Sequence, residues 1–232
     1  MAVKQWKALI YKDMCDLRWN GQILFNMMSS IAFVTVFSFI PGQQLQLSFL
    51  IAFILLMLTM YMQGNMVVEE YEQKTRRRLS QANVSFKIMF LAKMAITFMI
   101  TSIVLIAFFF FHSDRLLACI SIYLLTLPLI ILIQLVGLML GIKTKNTIEL
   151  SMYGMPIMLL YFFVEGLLMN SNQPDEWKWL AVLPNYHLHH GIEQIQLQQP
   201  FMSSLIVPLI WMAAAILLFV WWFRKQRHRL IS

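Results

Sequence analysis

Charge is what this sequence has least of. Asp, Glu, Lys and Arg together make up 12% of its 232 residues while 59% are apolar. No single soluble core hides that much apolar surface, so the surrounding solvent is lipid. Signals for catalysis are missing too. No G-x-x-x-x-G-K-[ST] occurs, which excludes a Walker A phosphate cradle in this chain, and there is no HExxH or GxSxG to supply a metalloprotease or serine-hydrolase centre. The two cysteines, Cys15 and Cys119, lie apart in a mixed head segment and in an apolar run, so packing is a simpler reading for them than a disulfide. The pattern of a cleavable signal peptide is also lacking, because about twenty mixed residues precede the first apolar run and no small-residue cleavage site follows.

Long apolar runs are abundant. Residues 22–40, 46–64, 88–111, 116–141, 148–169 and 202–223 are each long enough to cross about 30 Å of hydrocarbon at about 1.5 Å per residue. They lack the strict alternation of barrel strands, and a spanning backbone must satisfy its own hydrogen bonds, so the expected fold is an all-α membrane protein with six transmembrane helices. The net charge of +7 follows the topology. With six spans, all Lys and Arg except Arg115 and Lys178 fall on the side that carries both termini. That places the termini in the cytoplasm of a multi-pass plasma-membrane protein and makes anionic lipid, not nucleic acid, the partner of the excess base.

Residues 1–21 are expected to form an interfacial helix on the cytoplasmic side, with Trp6, Ile10, Met14 and Leu17 on one face and Lys7, Lys12, Asp16 and Arg18 on others. Residues 22–223 form the six-helix domain, and 224–232 a basic cytoplasmic tail. PGQQL at 41–45 and HSD at 112–114 read as tight outer turns. The longer outer segment, 170–201, holds two apolar pieces too short to cross, WKWLAVL and GIEQIQL, which read as short re-entrant helices with Trp177 and Trp179 at headgroup level. Gly154 and Pro156 should kink the fifth span and Pro128 and Pro208 interrupt the fourth and sixth, while Gly137 and Gly141 form a GxxxG that permits close approach of a helix, within the chain or outside it.

One island of charge stands out: VVEEYEQKTRRRLSQANVS, residues 67–85. Its acids come first and its bases later, which suits the dipole of a single polar helix lying outside the lipid. A loop obeying only the positive-inside bias needs the arginines but not the three glutamates. In kind and order, Glu70, Glu72, Lys74, Thr75, Leu79, Val84 and Ser85 resemble the cytoplasmic coupling helix between spans two and three of ABC-2 type exporter membrane subunits. Ser80 and Asn83 depart, standing where a second leucine and a proline are usual. LPNYHLHHGI at 183–192 is similar to the segment before the last span of that family, and the order of interfacial helix, six spans and outer helical hairpin agrees over nearly the whole chain.

The resemblance implies a permease subunit that works with a separate ABC ATPase, which holds ATP and Mg²⁺, and with a second permease copy or a related permease; no cofactor is expected in this chain. Glu69, Glu70, Glu72, Lys74, Thr75, Arg76, Arg77 and Arg78 are then expected to line the ATPase-coupling face, with Leu79 as its apolar anchor. Asn26, Ser30, Phe33 and Phe37 recur at three to four residues in span one. This stripe, with Tyr153 and Glu165 of span five, is expected at the translocation pathway or the dimer seam, unless it packs within the chain. Glu165 faces either a polar vestibule or the outer interface. His187, His189 and His190 lack a ligand-spaced carboxylate or thiolate, so interfacial packing is a better reading than metal. A sparsely charged, Phe- and Met-rich interior suits a large amphipathic or hydrophobic cargo. In general appearance the chain also resembles the small peptide-exporting permeases of Gram-positive bacteria, such as the phenol-soluble modulin exporter, and that resemblance implies a peptide. Drug or lipid export by the same kind of permease is the alternative. An ion-coupled secondary transporter would want several carboxylates at mid-membrane, and only Glu165 approaches that.

Overall fold

A computed structural model describes residues 2–39, 46–81, 84–112, 115–170 and 178–231, with side chains for all of these except 2–4, 39, 76, 77, 80, 170, 178 and 226–231. The expected turn at 41–45, residues 113–114 of the second turn, and Trp177 lie outside the described residues. Every regular element among the described residues is helical. In chain order the elements are α1 (Ala2–Leu17), α2 (Gly21–Phe39), α3 (Leu47–Phe53), a π-helical stretch (Ile54–Met60), α4 (Tyr61–Glu72), α5 (Thr75–Gln81), α6 (Phe86–His112), α7 (Leu116–Lys143), α8 (Thr147–Asn170), a 3₁₀ turn (Lys178–Val182), α9 (Pro184–Gln196) and α10 (Met202–Ile231).

Six helical stretches are long and apolar enough to cross a membrane: Gly21–Ser38, Leu47–Glu72, Phe86–His112, Leu116–Lys143, Thr147–Met169 and Met202–Lys225. The protein is thus a multi-pass membrane protein. Span 2, built from α3, the π stretch and α4 in one continuous rod, is the most deeply buried of the six, and α4 packs most extensively on α7. Glycine makes this approach possible. A Cβ at Gly137 would collide with the Met60 carbonyl, and one at Gly141 would stand 2.7 Å from the Gly64 carbonyl, so the GxxxG of α7 serves packing within the chain. Pro128, Pro156 and Pro208 all lie inside helices that continue past them, so the expected interruptions do not end any span.

Helix starts are set by side chains near the bundle ends. Asn20 Oδ1 accepts the Ile23 N–H at 3.0 Å and caps α2, and Asn146 Oδ1 accepts the Glu149 N–H at 2.7 Å and caps α8. Pro184 opens α9 at a position where its missing N–H costs nothing.

Residues 224–231 continue α10 as helix. Two expectations change. The helix expected from GIEQIQL begins earlier, at Pro184, and includes the three histidines. In α1 the buried row is Leu9, Asp13 and Leu17, while Met14 is exposed. The face turns this way because Asp13 finds cationic partners inside the bundle.

Candidate functional site

The charged island does not form one rod. α4 ends at Glu72, Gln73 and Lys74 turn the chain, and α5 begins at Thr75. Lys74 takes a left-handed conformation, φ 55°, and its N–H returns to the Tyr71 carbonyl at 3.1 Å, closing the helix end as a C-terminal cap does. The acids therefore sit at the C-terminal end of a helix and the bases at the start of the next, the reverse of the expected dipole order.

Compensation comes from three directions. Glu69 accepts from the Asn20 amide at 2.8 Å and from Gln73 at 2.7 Å. Glu70, only 2% exposed, pairs with Lys93 of α6 at 2.9 Å and Lys12 of α1 at 3.1 Å. Glu72 accepts the free Thr147 N–H at the start of α8, at 2.9 Å, where a helix N-terminus favours an anion. Three neighbouring acids thus tie the end of span 2 to α1, α2, α6 and α8.

The centre of this hub is a buried ion cluster. Asp13 joins Lys12 at 3.1 Å and Lys93 at 3.2 Å, and Asp16 reaches Lys12 at 3.2 Å. Burial pulls the Lys12 ammonium toward losing its proton, but Glu70 and Asp13 outweigh it and hold its pKa above the ordinary lysine range. Inside the membrane the same seam of spans 2 and 3 continues as polar contacts, Thr97 to the Met66 sulfur at 3.6 Å and Thr59 to Thr101 at 2.9 Å. Gln63 and Asn65, fully buried in α4, have no hydrogen-bond partner among the described residues.

α5 lies against this hub. Leu79 packs on Val67, Met89, Phe90 and Leu138, with Phe219 and Phe223 of α10 on the same cluster, so it anchors α5 to its own bundle instead of standing free as an apolar knob. Thr75 Oγ1 donates to the Glu70 carbonyl at 3.4 Å. Lys74, Arg78 and Gln81 are exposed; α5 also carries Arg76 and Arg77, whose side chains are not described. Of the expected coupling face, Glu70 is corrected to a buried position. Glu69 is bonded inward, and Glu72 is exposed but engaged on α8.

The expected stripe of span one is turned inward. Asn26 and Ser30 are buried, Ser30 donates to the Met27 carbonyl, and Phe33 stacks on Phe53 of span 2 with centroids 3.9 Å apart and contacts Phe37 at 4.3 Å. The free face of α2 presents Phe25, Met28, Ile31 and Val36 instead. Tyr153 is half exposed, beneath the Lys143 ammonium at 5.0 Å. Glu165 reaches neither a vestibule nor the interface: α9 folds over it, Asn185 donates to Oε1 at 3.1 Å, and the residue is fully enclosed.

The histidines are divided. His187 bonds the Ala181 carbonyl at 2.8 Å, and His189 bonds Ser48 at 3.0 Å. Burial lowers the His189 pKa below the usual imidazole range; Glu193 opposes this and His190 adds to it. Among the described residues no three His, Cys, Asp or Glu side chains converge on a metal position.

Sequence reasoning treated Lys12 and Lys93 as interfacial base and missed Asp13. The signal was faint but present: Lys93 lies six residues inside an apolar run, and Asp13 falls at four-residue spacing between Leu9 and Leu17.

A model of a protein family described as ABC-2 family transporter protein matches residues 25–223. No curated protein and no solved structure matches the chain.

Proposed function

The chain belongs to the ABC-2 transporter family, and from that premise we propose that it is the membrane subunit of an exporter whose ATPase docks on α5. Membership implies an ABC ATPase partner and a transporter component that is not catalytic by itself. ATP and Mg²⁺ are then held by that partner.

The observation that carries the reading is the placement of α5. It is a short basic helix at the basic end of the bundle, fastened by Leu79 to residues of α4, α6 and α7 and by Thr75 to the backbone of Glu70. A partner that closes on nucleotide and displaces α5 by a few ångströms pushes directly on span 2. The acidic hub then shares the displacement with α1, α2, α6 and α8, and a tightly packed bundle answers such a push by rocking, not by local yielding. Lys74, Arg76, Arg77 and Arg78 form the docking face in this account. Glu69, Glu70 and Glu72 transmit the movement instead of meeting the partner.

In this proposal the basic end, with both termini, faces the cytoplasm, as the distribution of Lys and Arg favours. A second permease copy or a related permease completes the transporter, because one chain offers one α5 and an ABC engine closes as a pair of ATPases. The cargo is an amphipathic or hydrophobic molecule, a peptide before a drug or lipid. Exposed Met152, Met155, Leu159 and Phe163 of α8 support this, since methionine adapts to varied apolar shapes. A proton-coupled carrier needs a carboxylate in reach of water, and the enclosure of Glu165 beside Asn185 favours the ATP-driven reading.

The test is charge reversal on α5. Replacing Arg76, Arg77 and Arg78 by Glu should cut co-purification of the ATPase by about 10-fold or more and abolish export, since like-charge juxtaposition at an interface costs several kcal/mol. Thermal unfolding of the permease should be nearly unchanged. Undiminished ATPase association and export in that variant would remove α5 from the mechanism.

A further inference from the structure

At the end of the bundle opposite the basic one, two cavities adjoin. The first, about 370 Å³, lies among the ends of α2, α3, α6 and α9, and its wall sets Gln46, Ser48, His112, His189, Glu193 and Gln196 beside apolar Phe37, Leu47, Leu50 and Ile192. The second, about 380 Å³, runs between α2 and α6 beside Ile54; Val34, Ile103, Val104, Ala107 and Phe108 make it almost wholly apolar. Ser38 and His112 belong to both walls. The two spaces therefore form one groove, polar at the bundle end and apolar along its course between two spans. Each part is of the size of an ordinary small-ligand site.

The polar part carries a sign. Among the described lining residues Glu193 is the one carboxylate, and no Lys or Arg stands with it. His189 and His190 each stand 3.5 Å from its carboxylate, which is still half exposed and open to a further donor. The buried Gln46 Oε1 is an acceptor with no donor among the described residues. A ligand head that fits must donate hydrogen bonds and carry positive charge. The amide N–H groups of Gln46 and Gln196 leave donors for a phosphate beside that charge.

We propose that this groove binds one phospholipid with a primary-amine headgroup. The ammonium meets Glu193 and Gln46, the phosphate lies by the amide donors, and one acyl chain fills the space between α2 and α6. The site lies in the leaflet opposite the basic end and is independent of the transport reading. A quaternary headgroup lacks the N–H donors and an anionic one lacks a cationic partner, so the site discriminates among lipids with identical chains.

The full-length chain, purified in mild detergent and incubated with an equimolar mixture of phosphatidylethanolamine, phosphatidylglycerol and phosphatidylcholine of the same acyl chains, is examined by native mass spectrometry. One phosphatidylethanolamine per chain should be retained in preference to the other two by about 5-fold or more, the worth of a charge-assisted contact near 1 kcal/mol. Glu193→Gln should bring the three lipids to near equality, and Ala107→Trp, which fills the apolar part, should lower retention of all three. Equal retention of the three lipids by the wild-type chain, which needs no variant to fold, overturns the proposal. So does a preference that survives Glu193→Gln, or displacement of the lipid by an amphipathic peptide at stoichiometric concentration.

Discussion

Lys93 is 2% exposed, yet it stands between two carboxylates, Asp13 at 3.2 Å and Glu70 at 2.9 Å. Removing one partner from such a set strands the others. Lys93→Met should lower stability by about 3–5 kcal/mol, read by thermal or denaturant unfolding in detergent. Converting the set together, Asp13→Leu, Glu70→Leu and Lys93→Met, should recover most of that loss, because a well-packed apolar replacement of a buried ion set is often neutral or better. Failure of the triple variant to recover would mean that the cluster does more than satisfy its own charges. The odd positions of Lys93 and Asp13 are legible in the sequence, but their pairing is not. Lys12 and Lys93 count toward the positive-inside bias whether or not they are buried, and a single chain of letters does not say that α1 lies against α6.

At the scale of elements, hydropathy located the six spans to within a few residues at most ends, since each apolar run exceeds the bilayer thickness and nothing else in the chain competes with it. Span 2 is the exception. It runs on to Glu72 because four other elements supply partners for its terminal acids, information that no local window contains. The break at Lys74 was equally hidden, for Gln73 and Lys74 carry neither glycine nor proline. Leu79 looked like a docking knob because its true neighbours, Met89, Phe90 and Leu138, are distant in sequence. The GxxxG was visible, but its partner was not. Gly137→Ala should force α7 from the Met60 backbone and cost about 1–3 kcal/mol in unfolding measurements. Gly166→Ala, where nothing lies within 4 Å of the added methyl, should be neutral or stabilise by up to about 1 kcal/mol through helix propensity. Equal effects at the two sites would contradict the close crossing of α4 and α7.

For the whole molecule, the arrangement separates three jobs. The basic end holds α5 on a hub that joins α1, span 2 and the starts of spans 1, 3 and 5. The middle is a tight apolar bundle around span 2. The opposite end folds α9 over Glu165. Large apolar faces of α2, α8 and α10 remain exposed, available to lipid and, in the proposed assembly, to a second permease. Neutralising the hub and reversing the face of α5 should therefore fail differently: Lys93→Met should impair the permease's own stability with ATPase association retained in the folded fraction, while the Glu variants at Arg76 to Arg78 should do the opposite. Co-purification alongside a melting curve separates the two, and loss of both properties in either variant would merge the jobs.

The most direct measurement places a photo-crosslinking amino acid at Arg78 or, as a control, at the exposed Leu197 of the opposite end, in cells that make the complete transporter. The account predicts that position 78 captures a polypeptide carrying a Walker A motif and that position 197 does not. Capture of that ATPase from position 197, or its absence from position 78 in an actively exporting strain, would contradict it.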